Sequence, residues 1–193
     1  LGSLFAVLVY FRKDVAAVIA GKLDVLRGRM TPGAKLLLLI IVAPPPVLIV
    51  GAGLYVTGAA DAMRSPVVIA WATLIFAAPL WLADHFAPRA RAMEQMRWRD
   101  AALIGLAQAL ALVPGASRSG VTMTAGRALG LTREAAARFS MLMAIPVIAA
   151  FGLLAGIELA RGAAPGASLT DGLVVAALSF LAAWAAIAVL MRV

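Results

Sequence analysis

Apolar residues in this chain run in long uncharged blocks; they neither alternate nor mark one face of a helix. Leu36–Val56, Pro66–Ala83, Phe139–Ile157 and Gly172–Met191 contain no Asp, Glu, Lys or Arg. A helix needs about 20 mostly apolar residues to cross the hydrocarbon core of a bilayer, so each block reads as a transmembrane helix. Leu1–Phe11 is apolar but too short to cross alone, and is read as part of a partial span near 1–20. The pattern predicts an all-α integral membrane protein. One transmembrane domain over 1–193 is expected, with spans near 1–20, 36–56, 66–83, 139–157 and 172–191 and a re-entrant segment at 101–126.

The polar positions between the blocks set the topology. Basic residues collect in three groups: Arg12, Lys13, Lys22, Arg27, Arg29 and Lys35; Arg89, Arg91, Arg97 and Arg99; and Arg127, Arg133 and Arg138. The connections Gly58–Ser65 and Ala160–Asp171 carry one arginine each. The positive-inside rule puts the three groups in the cytoplasm and the two poor loops outside. Ala101–Gly126 then leaves and returns on the same side. Ala101–Val113 would be about 20 Å long as a helix, too short for a core of about 30 Å. A re-entrant helix pair is the economical solution, with its tip at Pro114–Ser117. Pro114 cannot continue the hydrogen-bond ladder and Gly115 permits the turn. Ser117 or Ser119 can cap the returning half-helix, whose N–H groups and positive dipole end would face a pocket.

Composition agrees with the pattern. Hydrophobic residues make up 64% and charged residues 13%, with a mean hydropathy of +1.00, far from a soluble domain. The formal charge of +8 does not point to nucleic acid, because the charges sit in short loops where orientation signals belong. There is no cysteine, so disulfide and thiolate chemistry are excluded. No signal-peptide pattern opens the chain. It starts with Leu inside an apolar run, and the expectation is a protein truncated at both ends. Pro44-Pro45-Pro46 should kink or unwind its span. Gly51-Ala52-Gly53 and Ala155-Gly156 suit close helix contact, and Asp61-Ala62-Met63-Arg64 reads as a plain outer turn.

Candidate chemistry centres on Leu112-Val113-Pro114-Gly115-Ala116-Ser117-Arg118-Ser119-Gly120-Val121-Thr122. An arginine at bilayer depth costs at least about 2.5–3.5 kcal/mol and marks a functional site by default. The Arg118 guanidinium offers a planar fork of donors that matches phosphate oxygens; the alternative is a side chain that snorkels to the interface. The hydroxyls of Ser117 and Ser119 can bind phosphate, hold a metal-bound water or act as nucleophiles. They can equally be caps or bond back to the helix. Thr122 lies one turn after Ser119 on the same face, whereas Thr124 reads as packing. Gln108 needs a partner, in the pocket or on another helix. His85, the only histidine, sits beside Asp84 where a span ends, and the two make a weak metal signal. No convincing carboxylate lies at bilayer depth to hold a metal or serve as a base, which phosphoryl transfer usually needs.

Trp98-Arg99-Asp100, then Gly105 through Thr122, resembles the second signature of the undecaprenyl-diphosphatase family, the bacitracin-resistance membrane phosphatases. Gly130-Leu131-Thr132-Arg133-Glu134-Ala135-Ala136-Ala137-Arg138-Phe139-Ser140 followed by Ala144-Ile145-Pro146, and Leu4 through Arg12, are similar to further parts of the family. The resemblance implies an inverted-repeat fold with two re-entrant hairpins in the bacterial plasma (inner) membrane. It implies removal of the terminal phosphate of undecaprenyl diphosphate, recycling the lipid carrier of cell-wall synthesis, at a site facing the outer side. A divalent metal, usually magnesium, is implied as cofactor. By position, Arg118, Ser117 and Ser119 would be catalytic. Arg118, Ser119, Thr122, Gln108 and Gly115 would bind substrate. The family's first signature, with paired glutamates, a serine and a histidine, precedes the stretch matching Leu1–Arg12 and is not in this chain, so the metal ligands are unassigned. The expected partners are a polyprenyl diphosphate lipid and the bilayer, with no nucleic acid and with a homodimer left open. The rival reading is a lipid-phosphate carrier, flippase or binding protein without hydrolysis, since carriers use half-helix termini for anionic substrates.

Overall fold

The computed structural model describes residues 2–58, 65–160 and 169–191, and every regular element among them is a helix. The outer-turn reading of Asp61–Arg64 and most of the 160–171 connection lie outside the described residues.

Helices α1 (Gly2–Tyr10) and α2 (Arg12–Leu26) meet at Phe11. Helices α3 (Pro32–Val42) and α4 (Pro45–Thr57) form one apolar rod broken at Ala43-Pro44. The break follows from the three prolines, which have no N–H to give to the preceding turn. Hydrogen bonding resumes with Leu48 N–H donating to the Pro44 carbonyl at 3.2 Å. Helix α5 (Pro66–Phe86) starts at a Ser65 cap whose hydroxyl accepts from Val68 N–H at 3.2 Å. Two short helices, α6 (Trp98–Gln108) and α7 (Arg118–Ala128), are followed by the long α8 (Arg133–Ala160) and α9 (Leu169–Leu190).

Pro32–Leu54, Pro66–Phe86 and Gly172–Leu190 are long and apolar enough to cross a membrane, and in the last two only 6% of the window is buried inside the protein. Helix α5 turns Val67, Trp71, Leu74 and Ile75 outward, and α9 turns Leu173, Leu178 and Leu181 outward. Apolar surface on that scale does not face water in a soluble monomer. Helices satisfy their own backbone and can present such faces to lipid. The protein is an all-α integral membrane protein.

One end of the bundle gathers residues from all three basic groups. Lys35 Nζ donates to the Glu94 carbonyl at 2.7 Å, and Arg138 Nε donates to Asp14 Oδ2 at 2.9 Å. Arg91 N–H donates to the Gly130 carbonyl at 3.0 Å, and Thr132 N–H donates to the Arg91 carbonyl at 2.9 Å. The core behind this end contains Phe11, Leu39, Met96, Ile104, Leu131, Phe139 and Leu142.

Candidate active site

Helices α6 and α7 are the two arms of a hairpin. Arg91 fastens both roots. Its Nη1 donates to Asp100 Oδ1 at 3.3 Å, at the start of α6, and to the Leu129 carbonyl at 2.9 Å, at the end of α7. Asp100 also accepts the Arg97 N–H at 2.8 Å, which caps α6. Burial pushes the Asp100 pKa up, but its bonds from Arg91 and Arg97 outweigh this and hold it below the usual carboxylate value.

Arg127 anchors the α7 root. It is 2% exposed and donates to the carbonyls of Ala87 and Pro88 at 3.0 Å each, to Asp84 Oδ1 at 3.2 Å, and to the Leu131 carbonyl. A permanent cation thus covers the carbonyl end of α5, where the helix dipole is negative. Arg133 spans both oxygens of the same Asp84 carboxylate, Nε donating to Oδ1 at 2.8 Å and Nη2 to Oδ2. Asp84 is therefore engaged by two guanidinium groups, and His85 stacks on Trp81 with ring centroids 5.4 Å apart. Asp84 thus belongs to the bundle's closure, whereas His85 packs on its own helix, and among the described residues the two join no group of three metal-binding side chains.

At the other end of the hairpin, α6 tightens into a 3-10 turn over Ala109–Leu112 and gives way to an extended Val113. Gly115 turns the chain with φ +94°. A Cβ there would lie 2.4 Å from the Ile69 carbonyl oxygen on α5. Thr73 fixes the same contact, its hydroxyl lying 2.8 Å from the Ile69 carbonyl and 3.1 Å from the Gly115 carbonyl. Gly105 does a similar service on α6: a Cβ there would lie 2.0 Å from the Ala43 carbonyl, so α6 seats directly in the α3–α4 break. A Cβ at Gly51 would lie 3.6 Å from Leu112 Cδ2, an ordinary contact, whereas one at Gly53 would meet nothing within 4 Å, so Gly53 takes no part in close helix contact.

Ser117 caps α7, its Oγ accepting from Gly120 N–H at 3.2 Å. The Ser117 and Ser119 hydroxyls are 3.2 Å apart. Among the described residues the amides of Arg118 and Ser119, first in the helix, have no acceptor. Arg118 is partly buried, and its Nη1 is sealed from solvent without a hydrogen-bond partner. Gln108, the last residue of α6, is 1% exposed, and its Oε1 is likewise sealed and unpartnered. These are the two buried unpartnered side-chain atoms found among the described residues, and they sit on the two strokes of one hairpin tip.

The other hydroxyls face inward. Thr122 is 1% exposed and shares a 2.6 Å hydrogen bond with Ser140 Oγ on α8. Thr124 bonds back to the Gly120 carbonyl at 2.8 Å. Thr122 therefore joins α7 to α8, and Gly115 shapes the tip. Ser140 and Thr73 escaped the sequence reading. The available signal was a lone hydroxyl residue in an apolar helix, which in a membrane usually has a partner.

The tip brings together a guanidinium, two hydroxyls and a helix N-terminus, donors of the kind that suit an anion. It does not fit a divalent metal. Among the described residues no group of three metal-binding side chains occurs, the oxygen donors at the tip are neutral, and the nearest charge in sequence is the Arg118 cation.

The sequence matches the family described as "Bacitracin resistance protein BacA" over residues 1–193. The chain belongs to this family. It is 63% identical over 193 residues to a protein of Maricaulis maris (strain MCS10) named "Undecaprenyl-diphosphatase", covering 99% of this chain and 72% of that relative. Proteins of the same name from Jannaschia sp. (strain CCS1) and Dinoroseobacter shibae (strain DSM 16493 / NCIMB 14021 / DFL 12) are 49% and 48% identical, each over 99% of this chain and 72% of the relative.

Proposed function

We propose that this protein is an undecaprenyl-diphosphatase of the bacterial inner membrane, hydrolysing undecaprenyl diphosphate to undecaprenyl phosphate and phosphate. This recycles the cell-wall lipid carrier and confers bacitracin resistance. The carrying observation is the buried, unpartnered Nη1 of Arg118 at the N-terminus of α7. A buried guanidinium N–H without an acceptor is costly, and an anionic ligand removes that cost.

In this reading Arg118 binds the diphosphate as a fork and stabilises the charge that grows as the bridging P–O bond breaks and the lipid phosphate leaves. The Ser117 and Ser119 hydroxyls and the free amides of the first turn donate to the same oxygens. Gln108 orients the group from the opposing arm. Thr122 and Gly115 position this set through α8 and α5. The ion pairs at the basic end close the hairpin's root, so the tip opens away from that end. With the basic end cytoplasmic, the site faces outward.

The test is phosphate release from undecaprenyl diphosphate by the protein in detergent with magnesium, alongside Arg118→Ala. Loss of a transition-state donor of this type lowers kcat by about 10²–10³. Release by the variant at the unaltered rate would remove Arg118 from the mechanism. Lipid translocation without phosphate release would favour the carrier reading.

A further inference from the structure

A groove of about 980 Å³ opens at the basic end between α5, α7, α8 and the end of α9. It is distinct from the hairpin tip: neither Ser117, Arg118 nor Gln108 lines it. Its volume is at the top of the range of about 300–1,000 Å³ typical of small-molecule sites. Ala77, Leu80, Met123 and Ala137 line an apolar channel, with Trp81 beside it and Arg89 and Arg133 at the rim.

The two rim arginines have donors to spare. Arg89 is exposed and gives one bond, Nη2 to the Asp84 carbonyl at 3.0 Å. Arg133, with a side chain 54% exposed, holds Asp84 through Nε and Nη2. Its Nη1 makes no hydrogen bond among the described residues. Glu134 also lies on the rim and Asp84 and Arg127 lie within, leaving one excess positive charge. Trp81 is 62% exposed, and a tryptophan near charged helix ends sits at headgroup level. Apolar channel, aromatic belt and cationic rim are stacked in the order of a phospholipid leaflet.

We propose that this groove binds an anionic phospholipid, its acyl chains lying along Ala77, Leu80 and Met123 and its phosphodiester between Arg89 and Arg133. Basic pockets between membrane helices bind acidic headgroups in this way. The charge selects anionic over zwitterionic lipid, and the small side chains of Ala77 and Ala137 leave room for the chains.

Trp81 reports the site directly. With Trp71, Trp98 and Trp184 changed to Phe, Trp81 is the only tryptophan of the protein. The protein is placed in phosphatidylcholine vesicles holding a small, equal fraction of phosphatidylglycerol or phosphatidylcholine with brominated acyl chains. Brominated phosphatidylglycerol is expected to quench Trp81 with an apparent affinity about fivefold higher per engaged arginine. Arg89→Gln should cut the preference by about that factor, and Ala77→Phe should cut quenching by both lipids while leaving the charges in place. Both substitutions are on exposed positions, and neither touches the hairpin tip. Equal quenching by the two lipids would overturn the proposal, as would a preference unchanged by both substitutions. Displacement by soluble glycerol phosphate as readily as by the lipid would also overturn it, since the chains would then contribute nothing. Protection of Trp81 from both lipids would mean that a second copy or another segment fills the groove, and would likewise overturn it.

Discussion

Gly115→Ala is one added methyl at the point where the hairpin tip meets α5. The backbone at Gly115 has φ +94°, a region that costs an L-residue about 1–2 kcal/mol. The new Cβ would stand 2.4 Å from the Ile69 carbonyl oxygen and 2.9 Å from its Cα. Backbone atoms cannot rotate aside, so the tip or α5 moves, and overpacking of this kind costs about 1–3 kcal/mol. The movement also stretches the 3.1 Å bond from Thr73 to the Gly115 carbonyl, worth about 1 kcal/mol. Together the loss is about 3–6 kcal/mol, a fall in Tm on the order of 10 °C for a chain of this size. Displacement of Ser117–Ser119 by about 1 Å lowers turnover about 10²-fold.

The comparison that isolates the cause is Gly53→Ala. It is the same chemical change, in α4, at a helical glycine with nothing within 4 Å. Alanine there should stabilise the protein by about 0.5–1 kcal/mol. Thr73→Val separates the hydrogen bond from the steric effect and should cost about 1 kcal/mol. Melting of all three in detergent, followed by tryptophan fluorescence, with phosphate release measured on the same samples, gives the ranking. If Gly115→Ala melts with Gly53→Ala and hydrolyses at the normal rate, the tip is not seated on α5 as described.

Thr122→Val leaves Ser140 without its 2.6 Å partner, and Ser140→Ala removes the same bond while the Thr122 hydroxyl keeps the Arg118 carbonyl at 2.9 Å. Each single change should cost about 1–3 kcal/mol and the double change less than their sum, which a double-mutant cycle on Tm measures. Arg127→Met leaves the carbonyl end of α5 and one side of Asp84 uncovered and should cost about 3–5 kcal/mol. Arg133→Met, at an exposed pair, should cost at most about 1 kcal/mol in the same melting experiment. Asp100 has a pKa lowered in the folded protein against burial by Arg91 and Arg97. Its contribution to stability is therefore complete above the unfolded value of about 3.9 and is lost as pH falls through the lower folded value. Asp100→Asn should be less stable than the natural protein at neutral pH, and the gap should close below about pH 4; a gap independent of pH would exclude the ion pair as its source.

The membrane helices were legible because their signal is one-dimensional. An uncharged run such as Pro66–Ala83 needs no partner to be recognised, and α5 extends over Pro66–Phe86. The break before α4 was legible for a similar reason, since proline acts on its own preceding turn. Ser117 as a cap belongs to the same class: its partner, Gly120 N–H, is three residues away. What the sequence did not disclose depends on distant pairing. Ser140 meets Thr122 across 18 positions, Thr73 meets Gly115 across 42, and Arg127 reaches Ala87 across 40. Asp84 and His85 looked like a weak ligand pair because adjacency in sequence was visible and the two arginines on Asp84 were not. Helical period puts Thr122 on the Ser119 face but says nothing of α8 standing against it.

Helix α7 carries an arginine near each end, and the contrast between them separates structure from function better than any single contact. Arg127 makes bonds to at least four backbone carbonyls and a carboxylate, so its burial is balanced and its loss should appear as instability. Arg118 begins the same helix with a sealed Nη1 that meets no acceptor among the described residues, so its burial is not balanced by the fold. Stability does not require such a group: replacing it with an apolar side chain of similar length should leave the melting temperature unchanged or raise it. Arg118→Met should therefore melt no lower than the natural protein while losing phosphate release by about 10²–10³, whereas Arg127→Met should melt far lower. Equal destabilisation by the two substitutions would mean that Arg118 has a structural partner, and the site would have to be sought elsewhere.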